Sequence, residues 1–269
     1  MTTENTGNPS REHKQCGSRA AFLISYDGTD FVGFQFQKNG RSVQATMEEA
    51  LFRLYGKCIR IHGCSRTDAG VHAFGHVFHA DVPFFIPQEK LPPALNTFLP
   101  EDLAVLKAAY VPDDFHARFG AVGKQYAYRI WNDPIRPVID RQYMAHVPVS
   151  LRLESMRRAA SLLEGEHDFS AFCAAGGTAA NPVRHVESVT VDTLPPGAEV
   201  RITVRGRSFL YNMVRIMAGT LVYVGLGKMA PEDILRPFAE KDRRLSGKTM
   251  PAKGLVLEKV FFDREWFSI

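Results

Sequence analysis

Apolar positions predict an alternation of short strands and a few helices. From Ala20 to Asp27 the chain is apolar apart from Ser25 and closes on Asp27-Gly28, the pattern of a strand entering a tight turn. Val43, Met47, Leu51 and Leu54 then recur at helical spacing, with Ser42 placed as an N-cap and Gly56 as the stop. His76 to Val82 and Leu103 to Val111 read as strands. Pro87, Pro92, Pro93 and Pro100 break the stretch between them and leave room for one short helix near Leu95.

Val111 to Lys124 is turn-rich and reads as a crossing between two halves of the chain. Lys124 to Trp131 follows as a strand whose alternation puts Tyr126, Tyr128 and Ile130 on one face. Ser150 looks like the N-cap of a helix carrying Leu153, Met156, Ala160 and Leu163 up to Gly165. Strands near His185–Asp192 and Glu199–Arg205 are joined by a Pro-Pro-Gly-Ala turn. Phe209 to Leu226 is apolar nearly all round, which predicts a buried helix. Pro231 opens a short helix, and Gly254–Phe262 reads as a last strand. The plan is α+β, two α/β-sandwich halves with mixed, mostly antiparallel sheets covered by helices. The expected divisions are a polar tail at 1–19, a first half at 20–112 and a second at 113–269.

Composition narrows the class. At 269 residues and 45% hydrophobic content the chain has material for a core without disulfides or metal. The first 19 residues hold no apolar run, so no secretory or transit signal is expected. No stretch of about 18 uncharged apolar residues exists to span a membrane. Cys16, Cys58, Cys64 and Cys173 form no Cys-x-x-Cys pair, which argues for reduced thiols and a cytoplasmic location. Residues 1–112 carry 11 Lys/Arg against 11 Asp/Glu, and residues 113–269 carry 22 against 18, so the net +4 lies wholly in the second half. That bias is compatible with a phosphate-rich partner.

The chemistry concentrates between Gly63 and Ala80, in GCSRTDAGVHAFGHVFHA. Three readings compete. His72 and His76 are four apart, as metal ligands on a helix would be, but Gly75 interrupts them, no Glu follows His72, and His79 falls in a strand. Local packing or hydrogen bonding suits these histidines better. Asp68-Ala69-Gly70 equally suits a plain turn. The third reading is a catalytic carboxylate. An aspartate is ionised at neutral pH (pKa about 3.9) and needs no base to activate it, but it needs a cation to hold it. Arg66, two residues before Asp68, points the same way in extended chain. Such a carboxylate suits attack at an anomeric carbon.

SRTDAGVHA resembles the signature of the tRNA pseudouridine synthase A (TruA) family. The resemblance extends in order through SYDGTDFVGFQFQ, RSVQATMEEAL, PDDFHARFGAVGKQYAYRIWN and FLYNMVRIMAGTLVYVGLG, over about residues 20–260. It implies an isomerase that converts uridine to pseudouridine at positions 38, 39 and 40 of the tRNA anticodon stem-loop, with no cofactor and no metal. It implies a homodimer binding tRNA, and a catalytic cleft between the two halves. Asp68 matches the catalytic aspartate, and the resemblance leaves open attack on the sugar, attack on the base, or removal of a sugar proton. Tyr126 matches the tyrosine that stacks on the target uracil, while Tyr128, on the same face, is read as structural. Arg215, on the apolar helix, matches an arginine expected to need an acidic partner there, and Asp68 is that partner. Arg66 is expected to face RNA or the flipped base. Ser65 stands where the family often has Gly, and Phe34 where it has Trp. Neither is expected to touch the chemistry.

Overall fold

β1 (Ser18–Tyr26) buries Ala20, Phe22 and Ile24 and ends where Asp27 Oδ1 accepts the Thr29 N–H at 3.0 Å, the turn that Asp27-Gly28 foretold. The computed structural model describes residues 17–177, 179–194 and 197–267. Most of the expected tail and the two prolines of the Pro-Pro-Gly-Ala turn lie outside the described residues; β1 takes in Ser18 and Arg19.

α1 (Val43–Tyr55) follows its signals closely. Ser42 Oγ accepts from Ala45 N at 3.2 Å, and Gly56, at φ 66°, closes the last turn on the Phe52 carbonyl. β2 (His62–Gly63) pairs with β3 (His72–Val82). β3 begins four residues earlier than its apolar run suggested, because beyond a register shift it goes on pairing with β1 at Tyr26–Ala73 and with the later strand at His72 and Ala73. α2 (Leu91–Asn96) is the short helix expected near Leu95 and packs on β4 (Leu103–Tyr110).

In the second half come β5 (Ala121–Trp131), β6 (Ala145–His146), α3 (Leu153–Ser161), β7 (Gly165–Asp168), β8 (Val183–Leu194) and β9 (Glu199–Gly206). α4 (Met213–Gly225), α5 (Arg236–Glu240) and β10 (Leu255–Phe262) follow. Ser150 is not the cap of α3. The N-cap is Arg152, whose backbone N–H bonds the Gly225 carbonyl at 2.9 Å, so docking on the end of α4 sets the start. α4 likewise starts at Met213 rather than Phe209. Asn212 sits in the left-handed region (φ 59°), one of the few residue types that tolerate it, and this breaks the helix there.

The fold is α+β, with strands in the order β4-β1-β3-β10-β5-β9-β8-β7 and β2 and β6 attached to β3 and β5. Pairing is antiparallel except for β10–β3 and β5–β6. The strands of both halves thus join in a single mixed sheet, through β10. Tyr26 pairs with Ala73, Leu257 with both Ala73 and Tyr126, and Tyr126 with Val204. Directly paired residues share a face. A row Tyr26–Ala73–Leu257–Tyr126–Val204 therefore crosses the middle of the sheet on one side.

α3 and α4 pack on each other and on the second half of the sheet. α4 also comes very close to the segment before β10. A Cβ on Gly219 would lie 1.8 Å from the Lys248 carbonyl oxygen, so only glycine permits this approach. That contact brings Met250 beside Arg215, whose backbone carbonyl accepts the Met250 N–H at 3.2 Å.

Candidate active site

The loop Cys64–Gly70 is tied to that central row by two hydroxyl pairs. Tyr26 OH meets Thr67 Oγ1 at 2.8 Å, and Tyr126 OH meets Ser65 Oγ at 3.0 Å. Ser65 and Thr67 point inward, with Thr67 buried, while Arg66 is exposed between them. Asp68 comes next in the alternation, on the open side, with 28% of its side chain exposed. A second strand of chain clamps the loop from behind. Phe34 N donates to the Thr67 carbonyl at 3.1 Å, and Asp68 bridges Gly33. Gly33 sits at φ 114°, and a Cβ there would lie 2.7 Å from the Thr67 carbonyl oxygen. Val71 N–H closes on the Asp68 carbonyl at 3.2 Å, with Gly70 at φ 75°. The expected turn is present, and it presents the carboxylate.

Asp68 Oδ2 accepts from Arg215 Nη1 at 3.4 Å. Arg215 lies in the first turn of α4, and its guanidinium is fixed by two shorter bonds: Nη1 to Asn212 Oδ1 at 2.6 Å and Nε to the Met250 carbonyl at 2.7 Å. The left-handed Asn212 and the glycine contact of α4 thus both serve to aim this arginine. Burial pushes the Asp68 carboxyl above its ordinary value, and the charge and hydrogen bond of Arg215 pull against that rise. The acidic partner expected for Arg215 is in place.

Tyr126 is 6% exposed, with Phe209 edge-on to its ring at 5.3 Å between centroids. Burial pushes its phenol far above the ordinary tyrosine range; the Ser65 bond opposes this, and the charge of nearby Asp68 adds to it. The hydroxyl is therefore neutral. Tyr128, on the same face, is fully buried and donates to the Pro251 carbonyl at 2.7 Å, away from the loop. Ser65, expected not to touch the chemistry, lies with its Oγ against the Tyr126 hydroxyl. Sixty-one positions separate the two, so only the sheet order reveals the contact. Phe34 stacks on His76 at 4.2 Å.

The histidines each have separate local partners. His72 Nδ1 accepts from Gly28 N and its Nε2 meets the Gln142 carbonyl; His76 Nε2 donates to the Ser65 carbonyl at 3.0 Å; His79 Nδ1 accepts from Ala117 N. Among the described residues no group of His, Cys, Asp and Glu is placed to hold a metal ion. A hollow of about 280 Å³ lined by Ser25, Asp27, His72, Phe74, Arg129 and Tyr143 takes in none of Asp68, Tyr126 or Arg215.

Several cations of the second half are engaged with carboxylates or buried. Arg129 pairs with Glu199, Arg157 with Glu154, Arg158 with Glu232 and Arg205 with Glu187, while Lys124 is buried. Arg66 and Arg207 are exposed and have no side-chain hydrogen bond or ion pair among the described residues.

A family model described as tRNA pseudouridine synthase matches residues 22–120 and 159–263. The tRNA pseudouridine synthase A of Bacillus pumilus is 46% identical over 242 residues, 89% of this chain and 97% of the relative. That of Ruminiclostridium cellulolyticum is 44% identical, over 89% of this chain and 97% of the relative. That of Geobacillus kaustophilus is also 44% identical, over 92% and 95%. A solved Cbf5-Nop10-Gar1 complex overlays 90% of this chain on 50% of its own, at 13% identity and a TM-score of 0.40.

Proposed function

The chain belongs to the tRNA pseudouridine synthase family, and on that premise we propose that Asp68 is its catalytic carboxylate and that its targets are uridines 38, 39 and 40 of the anticodon stem-loop. The enzyme is an isomerase that turns uridine into pseudouridine in tRNA. The N1–C1′ bond breaks, the uracil turns, and C5 bonds to C1′. C5 gives up a proton and N1 gains one, so the reaction balances without a cofactor. Under this proposal residues 20–112 supply the carboxylate and residues 113–269 supply Tyr126 and Arg215, with the cleft between them.

The observation that carries the reading is the Asp68–Arg215 pair. The carboxylate is partly open to solvent, and its counter-ion is held independently by Asn212 and Met250. Arg215 favours the ionised form of Asp68 without closing it off. Attack on C1′, attack on the base and removal of a sugar proton all need that ionised carboxylate. Tyr126 serves as the aromatic floor for the uracil, which must leave the helical stack to react. A base stacking there displaces part of the cover that Phe209 gives the ring. The neutral phenol orients the base by hydrogen bonding rather than by removing a proton. Arg66, exposed beside Asp68, meets the RNA or the flipped base. The functional unit is a cytoplasmic homodimer with tRNA lying across both subunits.

The test is to incubate uridine-containing tRNA transcripts with the protein and map pseudouridine by position. Product at 38, 39 and 40 is expected; product confined to other positions defeats the stem-loop assignment. Binding should also depend strongly on salt. If Arg66 and Arg207 meet phosphates with other cations, tRNA affinity falls at least about tenfold between roughly 50 and 200 mM salt. A flat titration would rule out a phosphate-dominated interface.

A further inference from the structure

We propose that Ser65 is a positioning residue for the isomerisation: its hydroxyl fixes the Tyr126 phenol at the floor of the site. The inference rests on the role given to Tyr126 above and names what holds that residue in place.

Ser65 Oγ lies 3.0 Å from Tyr126 OH, and it is the phenol's hydrogen-bond partner among the described residues. A phenol has one proton to donate and lone pairs to accept with. Bonding to Ser65 therefore restrains the position of the hydroxyl oxygen, whichever of the two groups donates. The ring is covered apart from 6% of its surface, so no bulk water replaces the serine if it is lost. The serine is itself anchored. His76 Nε2 donates to the Ser65 carbonyl at 3.0 Å, since a carbonyl can only accept. His76 is fully buried and stacked on Phe34 at 4.2 Å, and burial lowers its pKa to about 4, so it stays a neutral donor. The chain Phe34–His76–Ser65–Tyr126 thus links the strand under the loop to the phenol. Asp68 is three residues further along the same loop, so Ser65 also sets the phenol's place relative to the carboxylate. The serine touches the phenol and none of the groups proposed to react, so the expected effect is moderate.

The experiment measures single-turnover pseudouridine formation and tRNA affinity for Ser65→Ala, Ser65→Thr, Tyr126→Phe and the Ser65→Ala/Tyr126→Phe double variant, with thermal melting of each. Ser65→Ala is expected to slow the single-turnover step about tenfold at unchanged affinity, the size of effect that follows from a loosened reactive group. Ser65→Thr, which keeps the hydroxyl, restores most of the rate. Tyr126→Phe is slowed at least as much, and adding Ser65→Ala to it costs nothing further, because the serine then has no phenol to hold. A wild-type rate for Ser65→Ala beside a slowed Tyr126→Phe overturns the inference and leaves the role of Tyr126 standing. So does a double variant slowed by the full product of the two single effects. A wild-type rate for Tyr126→Phe overturns both the inference and the hydroxyl's part in the reaction.

Discussion

Asp68→Asn is expected to bind tRNA and form no measurable pseudouridine, a loss of at least about a thousandfold, or roughly 4 kcal/mol of barrier. It should also melt no lower than the wild type. Burial raises the Asp68 pKa in the folded protein, Arg215 offsetting only part of the rise. A raised value means the folded state holds this proton more tightly than the unfolded chain does. Stability is therefore lost as pH climbs from the ordinary carboxylate value of 3.8 through the folded-state value, and stays lost at pH 7. Asparagine carries no charge and escapes that loss, while Arg215 keeps its bonds to Asn212 and Met250. Melting both proteins from acid to neutral pH checks the sign: the variant's advantage should vanish in acid. A variant several degrees less stable at pH 7 would mean that Asp68 is there to hold the turn.

Removing Arg215 should produce the second large effect, for a different reason. Arg215→Met takes away the one influence that lowers the Asp68 pKa. The carboxylate then gains a proton at higher pH, so the acid limb of the rate profile shifts upward along with a fall in rate of about a hundredfold or more. Unlike Asp68→Asn, this variant loses stability, about 1–3 kcal/mol, because the Met250 carbonyl and Asn212 lose a buried donor. Arg215→Lys keeps the charge, but one ammonium cannot reach three acceptors held by a fork. It should keep the acid limb nearer its wild-type position and still react slowly. Rate–pH profiles of the three proteins separate charge from geometry; an acid limb that stays put in Arg215→Met would show that the pair does not tune Asp68.

What the sequence made legible was local. Ser42 and Gly56 bounded α1 because capping depends on neighbours a few positions away. The alternation Tyr126–Tyr128–Ile130 gave the correct shared face, and the Arg-Thr-Asp-Ala-Gly run gave both the turn and its carboxylate. What escaped depends on long-range contacts. Ser150 carries the signal for a cap, but the backbone of Arg152 is captured by Gly225. Phe209–Leu226 is uniformly apolar, and nothing in that run announces that Asn212 turns left-handed. Ser65 looked incidental because its partner is a strand away. The joining of two expected halves into one sheet was hidden for the same reason: β10 shows its own alternation but not which strands it enters between.

That position of β10 has a consequence for the protein's birth. Leu257 is the residue that pairs with both Ala73 and Tyr126, and among the described residues no other strand spans that gap. During translation, at about 5–20 residues per second, Asp68 and Tyr126 both emerge well before it. Until Leu255–Phe262 clears the ribosome, β3, which follows the loop bearing Asp68, and β5, which bears Tyr126, have nothing between them to set their register. If Asp68 and Tyr126 act together as proposed, a nascent chain whose β10 has not yet docked is expected to be inactive on tRNA, and activity is expected only once that strand enters the middle of the sheet.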